Sequence, residues 1–110
     1  MGVTKSSLFT EEQNQLAAYA KAFGHPARVA ILMHLLKSNT CINGDLVQEL
    51  GLAQATISQH LRELKEMGII IGTIEGVSVN YCINSKRWEE VKGIFENLFQ
   101  QFNCDSDSCC

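Results

Sequence analysis

The chain has 110 residues, of which 45% are hydrophobic and 19% charged, and its formal net charge is −3. That length holds one domain with a modest core, and no stretch is long or apolar enough to span a membrane. An acidic balance counts against DNA binding, which draws on a basic footprint, so any DNA contact must rest on local positive charge and be strongly salt-dependent.

The opening MGVTKSSLFTEE has no apolar signal core, which places the protein in the cytoplasm. Thr10-Glu11-Glu12-Gln13 is a helix start, a capping hydroxyl with Gln three residues on. The helix runs to about Ala22 with Leu16, Tyr19, Ala20 and Phe23 on one side. Gly24-His25-Pro26 breaks it, and Pro26 suits the first turn of a second helix reaching about Lys37. His25 reads as a turn or capping residue before a ligand, and His34, inside the apolar run Ile31 to Leu36, as a core residue.

From Gly44 to Gly68 the chain reads GDLVQELGLAQATISQHLRELKEMG. Leu46, Val47 and Leu50 give a short helix an apolar side, and Gly51 supplies the left-handed residue that ends it. Leu52 plugs the turn. A second helix spans about Gln54 to Met67, with Ile57, Leu61 and Leu64 at i, i+4, i+7, the spacing of a buried stripe. The opposite side carries Ala55, Ser58, Gln59 and Arg62, with Thr56 and Gln54 toward the helix start.

Gln and Arg make bidentate contacts with base edges, and Ser and Thr reach bases or phosphates. Two helices so joined form a helix-turn-helix, whose second helix enters the major groove; an ordinary helical hairpin with a solvated face is the plainer alternative. The local cations are Arg62 and Lys65 with His60 on this helix, then Lys86 and Arg87 further on, while Glu63 and Glu66 offset two of them. Ile69-Ile70-Ile71, a turn at Glu75-Gly76, and alternating Val77, Val79, Tyr81 and Ile83 form a β-hairpin. A hairpin directly after a helix-turn-helix is a wing, its tip from Glu75 to Asn80 lying against the DNA backbone or minor groove.

A last helix runs from Ser85 to about Asn103. Trp88, Val91, Phe95, Leu98 and Phe102 step by 3, 4, 3, 4, the seam of a helix pair, and Ile94 and Phe99 widen it. One small domain covers only part of this surface, so the first and last helices of a second copy are expected to cover the rest. A twofold pair then sets two reading helices about one DNA turn apart.

Five cysteines remain, Cys41, Cys82, Cys104, Cys109 and Cys110. Structural disulfides are rare in cytoplasmic proteins. The tail NCDSDSCC carries three thiols, and thiolates select soft ions such as zinc, cadmium, lead or trivalent arsenic. The simplest metal site joins Cys41 with Cys104, Cys109 or Cys110, from the same or the partner subunit; alternatively the tail chelates alone. Cys82, on a strand beside Tyr81, reads as structural. An oxidation switch joining Cys41 and Cys104 stays open, provided their Cα atoms lie within about 7 Å. A thiol enzyme using the Cys109-Cys110 pair has no C-x-x-C, phosphate loop or cleft-forming sheet to support it. An adaptor acting only through its dimer face is the remaining alternative.

The segments AFGHPARVAILMHLL, GDLVQELGLAQATISQHLRELKEMGII and EGVSVNYCIN together resemble the ArsR/SmtB family of winged-helix repressors over roughly residues 16 to 84. The shared pattern is A-x-x-H/D-P-x-R, then L-x-Q-x-T-[IV]-S-x-H-L-x-x-L-x-x-x-G-[IL], then G-x-x-x-x-Y. The resemblance implies a homodimer that leaves its operator when a metal, metalloid or oxidant acts on cysteines or histidines. This chain departs from the family in three places. Asn43 stands where a C-x-C pair starting at Cys41 would end, so a thiolate site must borrow from the tail. The last helix has neither the Asp nor the His of the family's zinc site. Ala53 replaces the usual capping Ser, forgoing about 0.5–2 kcal/mol.

The expectation is therefore a mainly α winged helix-turn-helix of five helices and a two-stranded β-hairpin wing, dimerising through its first and last helices. Residues 1–103 form the DNA-binding and dimerisation domain and 104–110 a cysteine-rich tail. Gln54, Thr56, Ser58, Gln59, Arg62 and Lys65 read a double-stranded DNA operator. Cys41, Cys104, Cys109 and Cys110 take a soft metal or metalloid as inducer, with no cofactor required and no membrane partner.

Overall fold

The computed structural model describes residues 8–38, 41–43, 50–75 and 78–102. Helix α1, Glu11–Ala22, begins with the expected capping box: Gln13 N–H donates to Thr10 Oγ1 and Thr10 N–H to Gln13 Oε1, both at 3.0 Å. Glu11 and Glu12 in the first turn suit the positive end of the helix dipole. Tyr19 is buried, Leu16 and Phe23 are half-buried, and Ala20, expected on the same side, is exposed. Helix α2, Pro26–Ser38, starts at the proline, and His25 caps it by accepting the Ala27 N–H on Nδ1 at 3.0 Å. Its apolar residues Ile31, Leu32 and Leu35 are buried.

After α2 come strand β1, Ile42–Asn43, helix α3, Gln54–Glu66, strands β2, Ile70–Glu75, and β3, Ser78–Ile83, and helix α4, Ser85–Gln100. The described residues thus hold four helices against the five expected. The expected first helix of the reading motif falls on 44–49, outside the described residues, although Leu50 is helical and Gly51 has the left-handed φ of 70° that ends such a helix.

The expected two-stranded wing is β2 with β3, and the short β1 extends it to a three-stranded antiparallel sheet in the order β1-β3-β2. Ile42 and Asn43 pair with Tyr81 and Asn80, and β2 pairs with β3 from Ile70↔Ile83 to Glu75↔Ser78. Strand β1 is too short to leave an alternation in sequence.

Ile31 and Leu32 from α2, Ile57 and Leu64 from α3, and Ile69 and Ile70 from the wing strand and its approach are fully buried. Tyr19, Leu61 and Val91 join the same cluster. Gly68, between α3 and β2, has φ 79°, and a Cβ there would lie 2.8 Å from Arg87 Nη1. The left-handed backbone favours glycine there, and a side chain would also have to displace the Arg87 guanidinium.

Candidate nucleic-acid interface

Helix α3 turns its apolar stripe inward, with Ile57, Leu61 and Leu64 buried. Gln54, Ala55, Gln59, Arg62 and Lys65 are exposed, and Thr56 and Ser58 are half-buried beside them. Gln54 Nε2 donates to Ser58 Oγ at 3.2 Å, so two of the expected reading residues already orient one another one turn apart. Ala53 caps the helix by backbone only, with no side-chain bond to the first-turn N–H groups. Lys65 leans back over the wing: a Cβ at Gly72 of β2 would meet its Nζ at 3.4 Å.

Three expected local charges are corrected. His60 faces inward, 8% exposed, because it stands three residues after Ile57 and so completes the buried stripe. Glu63 is held by Arg28, whose Nη2 lies 2.6 Å from Glu63 Oε1, so its charge is answered within the fold rather than subtracted from Arg62. Arg87 is likewise engaged internally. Its Nη1 donates to Tyr19 Oη at 3.0 Å and to the Met67 carbonyl at 2.9 Å, and its Nε pairs with Glu90 at 3.1 Å. Lys86 is exposed beside it.

These contacts brace the far end of α3 against α1. Arg28 also donates to the Lys21 carbonyl at the end of α1, at 3.0 Å, and its Nε lies 3.4 Å from His60 Nδ1. His60 Nδ1 stands 3.3 Å from Glu63 Oε1 as well, so it can accept from Arg28 or donate to Glu63, but not both at once. The His25 ring completes the cluster, 4.5 Å from that of His60. Burial pushes the Glu63 carboxyl up, but its hydrogen bonds to His60 and Arg28, with the charges of both, hold it below the ordinary carboxylate value. Arg28 was visible in sequence only as the last letter of the A-x-x-H/D-P-x-R pattern, with no role attached.

The cysteines are arranged otherwise than expected. Cys41 is disulfide-bonded to Cys82, with Cα atoms 4.4 Å apart. The cause is register: with Ile42 opposite Tyr81, antiparallel pairing puts the preceding residue opposite Cys82. In this state Cys41 offers no thiolate to a metal. Cys104, Cys109 and Cys110 lie outside the described residues, and the described residues hold no group of three His, Cys, Asp or Glu side chains placed for a metal ion. His34 is half-buried on α2, as its apolar neighbours imply. Among the described residues no helix is long and apolar enough to cross a membrane.

A family model described as the bacterial regulatory protein, arsR family, matches residues 25–71, from the cap of α2 through α3 to the start of the wing. The HTH-type transcriptional regulator CmtR of Mycobacterium tuberculosis is 35% identical over 71 residues, 64% of this chain and 59% of its own, so the chain spans about three fifths of that relative's length. HTH-type transcriptional regulator MJ1325 of Methanocaldococcus jannaschii is 34% identical over 88 residues, 80% of this chain and 99% of its own. Among solved structures, HlyU from Vibrio cholerae superposes with a TM-score of 0.66 at 28% identity, covering 86% of this chain and 98% of that one. The cadmium metal-sensor CmtR of M. tuberculosis does so with a TM-score of 0.55 at 30% identity, covering 84% and 92%. These relatives are transcriptional regulators rather than enzymes, and with one of them matched almost end to end at 34% identity, the chain belongs to the ArsR family of helix-turn-helix transcriptional regulators.

Proposed function

We propose that this protein is a cytoplasmic, homodimeric repressor that reads a double-stranded operator through Gln54, Thr56, Ser58, Gln59, Arg62 and Lys65. The observation that carries the reading is the division of α3: its large apolar residues are consumed by the core, while a mostly polar face with one guanidinium is turned to solvent beside a wing. With His60 buried and Glu63 and Arg87 paired with other side chains of the fold, Arg62 carries the positive charge at the centre of that face. Affinity then depends on few phosphate contacts, and pairing of two chains is what makes binding specific.

The dimer reading rests on the exposed apolar side chains of the helical face. Leu98, Phe99 and Phe102 follow α4 outward at 42%, 69% and 71% exposure, and Leu8 and Phe9 stand at 73% and 53% before α1. Several large apolar side chains left in solvent at the ends of the first and last helices suit an interaction site.

For the inducer, the thiol-rich composition and the relative known as a cadmium metal-sensor support a soft metal or metalloid held by Cys41 with Cys104, Cys109 or Cys110, in protein whose Cys41 is reduced. The disulfide at Cys41 favours oxidation as a second reading, with Cys82 in place of Cys104 as the partner.

The test uses duplexes that the wild-type protein selects from a random-sequence pool. Gln59→Ala with Arg62→Ala should abolish retention of those duplexes in a mobility-shift assay while circular dichroism and sedimentation still show a folded dimer. Undiminished binding by that variant overturns the assignment of α3 as the reading helix.

A further inference from the structure

We propose that Cys41 and Cys82 form a reversible oxidation site, and that closing the bond makes the repressor deaf to soft metals by removing the Cys41 thiolate. The inference rests on the metal reading above for its consequence, but not for its chemistry.

Three features of the fold support reversibility. The two residues are directly opposed across the β1–β3 pairing by the backbone register, so whenever that pairing is formed the reduced thiols face one another and the bond can be remade without shifting β3. Their Cα separation of 4.4 Å is that of a non-hydrogen-bonded antiparallel pair. The site is also open. Cys41 is exposed and Cys82 half-buried, and both belong to the sheet face that carries Ile71, 45% exposed and opposite Cys82 on β2. A small oxidant or thiol therefore reaches Cys41 directly, and an exposed disulfide is open to thiol exchange where a buried one is not.

The position gives the bond a consequence. Strand β1 is held to β3 by two residue pairs, a marginal attachment by itself. The bond adds a third and closes a ring of sequence separation 41 that contains the whole of α3 and β2. In the closed form the polar face of α3 is exposed and the hairpin is formed, an arrangement able to meet DNA. Oxidation therefore leaves the reading unit assembled and takes away only the inducer's ligand.

The chemistry balances with a hydroperoxide as oxidant. The Cys41 thiolate attacks the O–O bond of hydrogen peroxide, giving a sulfenic acid and, after protonation, water. The Cys82 thiolate displaces hydroxide from that sulfur to form the S–S bond, and the hydroxide leaves as a second water. Two thiols lose two electrons and two protons, and one peroxide becomes two waters. Two equivalents of a small thiol reverse the step and leave as their own disulfide.

The test compares full-length wild type and Cys82→Ser, each fully reduced or treated with stoichiometric hydrogen peroxide, on duplexes selected by reduced wild type, with cadmium chloride as the probe. Non-reducing peptide mapping should find Cys41 joined to Cys82 in oxidised wild type and both free after a small thiol is added. Cadmium should weaken operator binding by reduced wild type by about tenfold or more, within the range of allosteric coupling, and leave oxidised wild type within about twofold. Reduced Cys82→Ser should respond to cadmium as reduced wild type does, and after peroxide its Cys41 should be trapped as a sulfenic acid by a dimedone-type reagent, whereas oxidised wild type should not be labelled there. The proposal is overturned if peptide mapping joins Cys41 elsewhere, if oxidised wild type still releases its duplex to cadmium, or if reduced Cys82→Ser ignores cadmium while reduced wild type responds. If the reduced protein ignores cadmium, the metal reading fails and the gating consequence with it, whereas the reversible Cys41–Cys82 bond still stands or falls on the peptide map.

Discussion

Helices α3 and α4 carry the same signal in sequence, a heptad-like apolar stripe on an otherwise polar helix, and they spend it differently. In α3 every stripe residue is buried within the chain: Ile57 at 2%, Leu61 at 6% and Leu64 at 0% exposure. In α4 only Val91 is buried; Trp88, Ile94 and Phe95 pack partly against Phe23 and the core, and the stripe then runs into solvent. Phe95 and Phe99 stack on one another at the point where the core gives out, with ring centroids 6.1 Å apart. The difference is one of place, not of pattern. Helix α3 is clasped between α2 and the wing, whereas the second half of α4 runs beside the start of α1, and among the described residues nothing covers Phe99 or Phe102. A stripe of that kind calls for a surface from outside.

The largest effect should come from the α3 stripe. Leu64→Ala removes a fully buried side chain at the centre of the cluster, and the cavity should cost about 2–5 kcal/mol in urea unfolding. In a domain this small that is enough to depress the folded population at physiological temperature. Leu98→Ala with Phe102→Ala tests the other half of the comparison. The helix content should persist, but sedimentation should show a dimer dissociation constant raised by roughly thirtyfold or more, as truncated interface anchors typically cost about 2 kcal/mol or more. Loss of helicity in that variant would mean that the exposed half of α4 serves its own chain after all.

The brace between α3 and α1 should give a smaller, pH-dependent effect. The carboxyl of Glu63 is held below its ordinary value, so its contribution is fully present above that value and is lost as pH falls through the lowered one. Glu63→Gln should therefore destabilise the protein at neutral pH and converge with wild type under strongly acid conditions, in urea titrations run across the range. A constant difference between the two at all pH values would show that the carboxylate charge is not what binds Arg28.

What could be read from sequence follows from how far apart the interacting residues lie. The α3 stripe, the capping box at Thr10 and the left-handed Gly51 are local, and all are where the spacing puts them, while on α1 the expected Ala20 is exposed and the buried alanine is Ala22. His60 was legible too, since the positions Ile57, His60, Leu61 and Leu64 share one helical face; counting its charge as a groove cation ignored that period. The two arginine braces were not legible. Arg28 finds Glu63 35 residues away, and Arg87 finds Tyr19 68 residues away, pairings that exist only once α2 has packed on α3 and α4 on α1. The Cys41–Cys82 bond required the register of a two-residue strand, which no periodicity reveals. The tail thiols Cys104, Cys109 and Cys110 could be read as chemistry but not as geometry.

The helix starts extend the comparison to its smallest expected effect. Helix α4 is properly capped: Asn84 Oδ1 accepts the Arg87 N–H at 3.3 Å, and its Nδ2 donates to the Gly68 carbonyl at 3.0 Å, so one side chain fixes both the start of α4 and the exit from α3. Helix α3 begins at Ala53 with its first-turn amides uncapped by any side chain. Ala53→Ser should supply the missing acceptor and raise stability by about 1 kcal/mol in urea unfolding. The backbone already suits the change, since Ala53 has the extended φ and ψ of −63° and 147° that a capping residue adopts. No gain would mean those N–H groups are already satisfied by water at no cost. A gain accompanied by weaker operator binding would assign them to a phosphate oxygen, making the uncapped end of α3 part of the reading surface.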